Sequence, residues 1–281
     1  MKKHIHSRPL YIKDYFLSQE TFSVAWEENN EVGRTLGVDE KTLTHYYESQ
    51  HYASHQNKKK GFKGIMYNWV QQRMLRYKHK LIEPLMDPNG ILLDYGCGVG
   101  DFIYYLRAKG LQVLGTEPYE RAQNMARSRG LRVAADMDAF SENHFAAITL
   151  WHVLEHIPNV ESTLKKFSKA LDDEGLLVLA LPNPNAWDAD HYKAYWAAWD
   201  VPRHLWHFSP KGIRKLLDKA GFECISTHPL PYDAFYVSLL SEGYKGNRFP
   251  WLKAFKNGLY SNYIGKKTGD YSSLIYIFRK R

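Results

Sequence analysis

Short apolar runs alternate with amphipathic stretches from residue 91 almost to the end of the chain. Ile91-Leu92-Leu93, Gln112–Gly115, Leu131–Ala134, Phe145–Trp151, Leu176–Leu181 and Phe222–Thr227 read as strands. Between them, Asp101–Lys109, Tyr119–Ser128, Val160–Leu171 and a segment opened by Ser209-Pro210 and closed by Ala220-Gly221 read as helices. Such alternation predicts a doubly wound, mostly parallel α/β sheet. A last run, Ser273–Phe278, follows a long non-repeating stretch and is placed as an antiparallel seventh strand. Ahead of the sheet, Trp69, Val70, Met74, Leu75, Leu81, Ile82 and Leu85 keep helical spacing from Tyr67 to Leu85 and predict an N-terminal helical cap. The first 50 residues show weak periodicity, and Lys58–Gly61 reads as a loop. We therefore divide the chain into a cap or lid segment, 1–88, and a main domain, 89–281. Residues 183–208 and 229–271 are insertions on the acceptor side of that domain.

A length of 281 residues supports one large core with an appendage. Two distant cysteines, Cys97 and Cys224, match neither a disulfide framework nor a zinc spacing. With no apolar run long enough to span a bilayer and no signal-peptide pattern, the expectation is a soluble, cytoplasmic protein. The net charge of +8 is concentrated: residues 51–80 hold eight Lys/Arg and no acid, and residues 245–281 hold nine with Asp270 alone opposing. Basic flanks attract anions such as nucleic acid, phospholipid or phosphorylated metabolites, or they are simply solvated helix faces.

The chemistry starts where the first strand of the sheet ends, in Asp94-Tyr95-Gly96-Cys97-Gly98-Val99-Gly100. In doubly wound sheets ligands bind at such strand-to-helix junctions, and glycines there permit a tight turn and close backbone approach. The spacing is GxGxG, which departs from the GxGxxG dinucleotide fingerprint. Asp94 would repel a pyrophosphate but attract an ammonium. Glu117 ends the next strand, 23 residues on, where a carboxylate accepts from both ribose hydroxyls. Together these favour S-adenosylmethionine, with S-adenosylhomocysteine as product, over a nicotinamide cofactor.

The chain resembles the class I, Rossmann-like methyltransferases. The likeness runs from Ile91 to Thr227 and rests on LLDYGCGVG, Glu117-Pro118, ITLWHVLEHIPN at 148–159, LLVLALPN, and FSPKGIRKLLDKAGF at 208–222. It implies that Asp94, Gly96, Cys97, Gly98 and Gly100 hold the methionine part, Glu117 and Pro118 the ribose, Asp136 and Met137 the adenine, and Trp151 and His152 the pocket floor. It further implies that Tyr46, Tyr47, His51 and Tyr52 close the cofactor pocket. The short stretch between the third and fourth strands departs from the family, leaving little room for its usual helix. WAAWDVPRHLWHFS at 196–209 is similar to bacterial methyltransferases of surface-glycan and sugar pathways, although residues 1–96 lack the cysteines of the zinc module with which those often begin.

His152-Val153-Leu154-Glu155-His156 formally matches a zinc-protease pattern. It follows an apolar strand with no placed downstream acid, so no metal is assigned, and His152 stands where ubiquinone-pathway relatives carry an acid. Tyr192, Trp196, Trp199, Arg203 and His204 lie in an aromatic and basic insertion with the makeup of an acceptor pocket. His152, His204 and His207 are the candidate general bases for a hydroxyl acceptor. The expected activity is methyl transfer to a small molecule, with oxygen favoured and a sugar or other surface-glycan precursor as one acceptor class. Methylation of RNA or another macromolecule through the basic flanks, cofactor binding without catalysis, and nicotinamide-dependent redox chemistry are the alternatives. Pro182-Asn183-Pro184-Asn185 follows the wrong strand and lacks the aromatic of a base-splaying loop, which argues against nucleic acid. Trp251, Leu252, Phe255, Leu259 and Tyr263 share one face of a basic amphipathic segment, suited to weak peripheral membrane contact, lid closure or a homodimer contact.

Overall fold

The computed structural model describes residues 9–27, 31–38, 46, 62–140 and 144–281. Three short strands come first: β1 (Leu10–Lys13), β2 (Thr21–Trp26) and β3 (Val32–Leu36). The expected cap helix follows as α1 (Phe62–Ile82), with Leu75 and Ile82 buried. The Lys58–Gly61 loop lies outside the described residues.

The alternating core begins with β4 (Ile91–Tyr95), α2 (Asp101–Arg107), β5 (Gln112–Thr116), α3 (Glu120–Ser128) and β6 (Val133–Ala134). It continues through β7 (Phe145–Trp151), α4 (Val160–Ala170), β8 (Leu171–Pro182) and α5 (Trp187–Tyr192). It closes with β9 (Trp206–Phe208), α6 (Pro210–Lys219), β10 (Phe222–Pro229), α7 (Asp233–Tyr244), α8 (Pro250–Thr268) and β11 (Ser273–Lys280). In the space between β6 and β7 the described residues form only a 3₁₀ turn, Met137–Ala139, in keeping with the short spacing there. No described helix is long and apolar enough to cross a membrane.

Seven strands form the main sheet in the order β10-β11-β8-β7-β4-β5-β6. β4 pairs in parallel with both β5 and β7, and β7 with β8, while β11 runs antiparallel to both β8 and β10. Helices cover both faces, so the central strands are mostly apolar: Ala147, Ile148 and Leu150 of β7 and Leu176 to Leu179 of β8 are fully buried. Strand order reverses between β4 and β7, which opens the ligand crevice at their carboxyl ends. Ser209 caps α6 by accepting the Gly212 N–H at 3.0 Å, with Pro210 at its first turn.

The N-terminal strands were not anticipated. They form a four-stranded antiparallel sheet, β1-β2-β3-β9, whose last strand comes from the 183–208 insertion. The N-terminal segment thus contributes strands as well as the expected helix, and β9 from residues 206–208 completes its sheet. Ile12 and Val24 pack with Tyr192, Trp196, Trp199, Val201 and Val237 in a core of their own. A buried ion pair locks the layers: Arg203 Nη2 lies 3.0 Å from Asp14 Oδ1 and 2.6 Å from Asp200 Oδ1. Asp14 also accepts the N–H groups of Phe16, Leu17 and Ser18, ending β1 in a tight turn.

Candidate active site

The chain leaves β4 and turns at Gly96, Gly98 and Gly100, all at positive φ. Gly98 and Gly100 differ in what they face. At Gly100 a Cβ would sit 2.4 Å from Leu131 Cδ1 and 3.2 Å from Ala126 Cβ of α3, so that glycine serves close packing of the turn. At Gly98, φ 56°, nothing lies within 4 Å, and the turn looks onto open space. Glu117 closes the turn from the end of β5. Its Oε2 accepts the Gly98 N–H at 2.9 Å and its Oε1 the Tyr119 N–H at 2.9 Å, with exposed Pro118 rounding the corner between. Each oxygen retains a further acceptor position. Burial raises the Glu117 pKa.

Asp94 lies beneath, buried, accepting the Thr149 hydroxyl at 2.6 Å. Burial pushes it up to about 7 against the pull of Thr149 and Lys78. Lys78 of α1, which the sequence reading missed, brings its ammonium 4.1 Å from the Trp151 ring centre. Burial draws it down to about 8, while Asp94 and Asp233 act to hold its charge. Its position on the apolar stripe of α1, between Met74 and Leu81, was the available signal. Trp151 stands edge-on to Phe102 at 5.2 Å, and its buried Nε1 has no hydrogen-bond partner. Burial raises the Cys97 thiol well above its ordinary value, so it stays protonated. Met137 is buried, and exposed Asp136 caps its turn by accepting the Asp138 N–H at 2.9 Å. Tyr46 donates to Glu20 Oε2 at 2.7 Å; Tyr47, His51 and Tyr52 lie outside the described residues.

Beyond β7 and β8 lies a second space, a cavity of about 320 Å³. His152, Asp233, Arg203, His204, Tyr236 and Tyr244 are among its walls. His152 has φ 57°, in the left-handed region. Its Nε2 is 3.0 Å from Asp233 Oδ2 and its Nδ1 3.4 Å from Glu155 Oε1. Burial alone would lower its pKa, but the two carboxylates prevail and push it up to about 10. His152 is therefore a cation at neutral pH and not a proton acceptor. This charge stabilises the fold fully below the unfolded value of about 6.5, and the contribution fades as pH rises through about 10. Urea midpoints of the wild type and His152→Asn should accordingly differ most below pH 6.5 and converge above 10; a difference unchanged across that window would refute the ion cluster.

His204 is the reverse case. Its Nδ1 is 3.0 Å from the Ala198 carbonyl, and burial, reinforced by nearby His156, draws it down to about 4. It is neutral, with Nδ1–H donating and the Nε2 lone pair available. His156 Nδ1 lies 2.9 Å from the Arg203 carbonyl, with its ring 4.6 Å from that of His204. Glu155, His156 and His204 each present one candidate ligand atom within 4.8 Å of the others, the place among the described residues where a metal ion could be held.

The other expected acceptor residues need correction. Tyr192, Trp196 and Trp199 are buried behind the cavity instead of lining it, because their polar atoms are tied inward. Trp196 Nε1 donates to Asp188 at 2.8 Å, Trp199 Nε1 to the Lys193 carbonyl at 2.8 Å, and the Tyr192 hydroxyl to Glu242 at 3.1 Å. His207 is not brought to this cavity either: its Nε2 is 3.0 Å from Thr35 Oγ1, joining β9 to β3.

A methyltransferase-domain family model matches residues 66–227, more than half of the chain. The ubiquinone biosynthesis O-methyltransferase of Idiomarina loihiensis is 25% identical over 168 residues, covering 54% of this chain and 69% of that protein. The enzyme of the same name from Azoarcus sp. is 26% identical over 164 residues, covering 50% and 68%. Among solved structures, magnesium protoporphyrin IX methyltransferase from Synechocystis, with bound S-adenosylhomocysteine, aligns over 86% of this chain and all of its own at a TM-score of 0.57 and 15% identity. The cyclopropane synthase MmaA2 from Mycobacterium tuberculosis aligns over 73% and 84% at a TM-score of 0.51 and 17% identity. With its strand order, glycine turn and Glu117 in place, the chain belongs to the class I, S-adenosylmethionine-dependent methyltransferases.

Proposed function

We propose that the chain transfers a methyl group from S-adenosylmethionine to a hydroxyl of a small-molecule acceptor held in the cavity beside His152 and His204. The observation that carries this reading is a neutral, buried histidine, His204, on the wall of a cavity that is also lined by His152 at the carboxyl end of β7. The ubiquinone O-methyltransferase relatives support oxygen as the acceptor atom.

The residues fit the cofactor. Open space in front of Gly98 and spare acceptor positions on Glu117, which is hydrogen-bonded to that same glycine, leave room and partners for it. Glu117 would hold the ribose, Asp94 the methionyl ammonium and Lys78 its carboxylate, while Asp136 and Met137 flank the adenine. When bound, the cofactor supplies an electrophilic methyl on a sulfonium. The protein's part is to orient the acceptor in line with it and to take its proton on His204 Nε2. His152, a cation with both ring N–H groups engaged by Asp233 and Glu155, orders this wall of the cavity and does not compete for the acceptor's proton. Residues 1–88 form the cap of this site and residues 89–281 the transferase domain, with the 183–208 and 229–271 insertions on the acceptor side.

His204→Gln should lower kcat by about 10²- to 10⁴-fold with cofactor affinity unchanged, as for loss of a general base. His207→Gln should leave kcat within a few-fold. The assay is transfer of labelled methyl to metabolite extract; equal rates for both variants would overturn the assignment.

A further inference from the structure

Helix α8 is packed inside out. Its inward stripe is made of small residues, Ala254, Gly258, Ser261 and Gly265, all buried. A Cβ at Gly258 would sit 2.6 Å from Phe235 Cδ1, and one at Gly265 2.8 Å from Tyr271 Cγ. The helix therefore cannot roll to bury anything larger. On the opposite face Trp251 and Phe255 are 61% and 62% exposed, and Leu252, Leu259 and Tyr263 are each more than half exposed. Phe249 at the helix start is exposed as well, and so are Tyr236 and Leu239 on α7, the helix that packs against α8. Scattered exposed apolar residues are ordinary, but a ridge of this many large side chains marks an interaction surface.

The charge around the ridge selects the partner. No acid occurs between Glu242 and Asp270, while Lys245, Arg248, Lys253, Lys256, Lys266 and Lys267 all fall in that stretch. Lys267 folds its ammonium over the Tyr263 ring at 4.2 Å, and Lys253 reaches Asn247 at 3.1 Å. Long basic side chains flanking large apolar ones suit a plane where hydrocarbon meets anionic headgroups. A second copy of the chain would bring an identical acid-free surface against this one, cation to cation. The ridge also reaches the acceptor cavity: Tyr236 is exposed on α7 and is a wall residue of that cavity, with Val237, Leu240 and Tyr244 behind it.

We propose that the α7–α8 face docks on an anionic lipid bilayer and that the acceptor is an amphiphile. Its polar head enters the cavity past Tyr236 while its apolar tail stays in the lipid. The docking stands on the surface alone; the acceptor class rests on the methyl-transfer reading.

The test uses the full chain with vesicles of phosphatidylcholine, alone or with one-third phosphatidylglycerol. Sedimentation should carry the protein down with the anionic vesicles, less so at high salt, and far less with phosphatidylcholine alone. Lys253→Gln/Lys256→Gln should weaken partitioning about thirtyfold, and Phe255→Ser/Leu259→Ser should abolish it. Both variants should keep wild-type cofactor affinity and melting temperature, because these side chains are exposed. Wild-type protein left in the supernatant, variants that bind vesicles as it does, or a dimer in light scattering that the serine variant splits would each overturn the docking. For the acceptor, labelled cofactor is incubated with a whole-cell extract that is then partitioned. Label in the organic phase supports the amphiphile. Label in water-soluble products alone overturns the acceptor class and keeps the methyltransferase, whereas no label in either phase overturns both that class and the methyl-transfer reading beneath it.

Discussion

Glu117→Ala should weaken S-adenosylmethionine binding by about 100- to 1,000-fold while the protein remains folded. The side chain places two carboxylate oxygens at the mouth of the turn, each already accepting one backbone N–H. Each has room for a ribose hydroxyl, and a hydrogen bond to a charged group contributes about 1.5–3 kcal/mol. Losing two removes about 3–6 kcal/mol, and the lower part of that range gives the stated fall at about 1.4 kcal/mol per tenfold. The Gly98 and Tyr119 N–H groups that lose their acceptor belong to partly exposed residues and can turn to water, so stability should change little. Glu117→Gln, which keeps one acceptor oxygen, should fall between. Calorimetric titration reads the affinity directly, and a dissociation constant within threefold of wild type would remove Glu117 from the site.

The second large effect is on the fold. Arg203→Ala should destabilise the protein by roughly 3–5 kcal/mol, the usual cost of removing one member of a buried ion pair. Both the guanidinium and its partner Asp14 are almost wholly buried. Burial would raise the Asp14 pKa, but Arg203 and the backbone donors of the turn outweigh it and keep the carboxyl below its ordinary value. That contribution is present above the unfolded value of about 3.9 and is lost as pH falls through the lower folded one. In the variant, Asp14 and Asp200 face each other without a cation, and acidification should narrow the gap from wild type. The melting temperature should drop by roughly 10 °C at neutral pH for a chain of this size. A drop of less than 2 °C would show that the pair is dispensable.

Where residues act through local pattern, they were legible. Apolar runs such as Phe145–Ile148 and Leu176–Leu181 read as central strands, and Ser209-Pro210 announces a helix start by its own capping chemistry. The glycine turn and Glu117 were readable because their spacing reflects one strand–turn–helix unit. The N-terminal sheet was not, since β1 is four residues long and β9 three, and β9 is completed only by β3, far away in sequence. Composition also misled. An aromatic cluster reads alike whether it lines a cavity or fills a core, and only the inward hydrogen bonds of Trp196 and Trp199 decide it. Histidine roles were equally hidden: His152 and His204 differ through Asp233, Glu155 and burial, none of which is local to both.

β9 has a bearing on how the site opens. Because Arg34 pairs with Trp206 and Thr35 N–H bonds the Leu205 carbonyl, strands from near the chain's start are stitched to the segment carrying Arg203 and His204. An N-terminal sheet built this way cannot swing away from that segment without tearing a ladder of backbone hydrogen bonds. Under the proposed function, an acceptor would enter on the other side, past exposed Tyr236 of α7, and removing residues 10–36 would take Phe16 from the cavity wall and Asp14 from its partner Arg203 instead of uncovering the cavity.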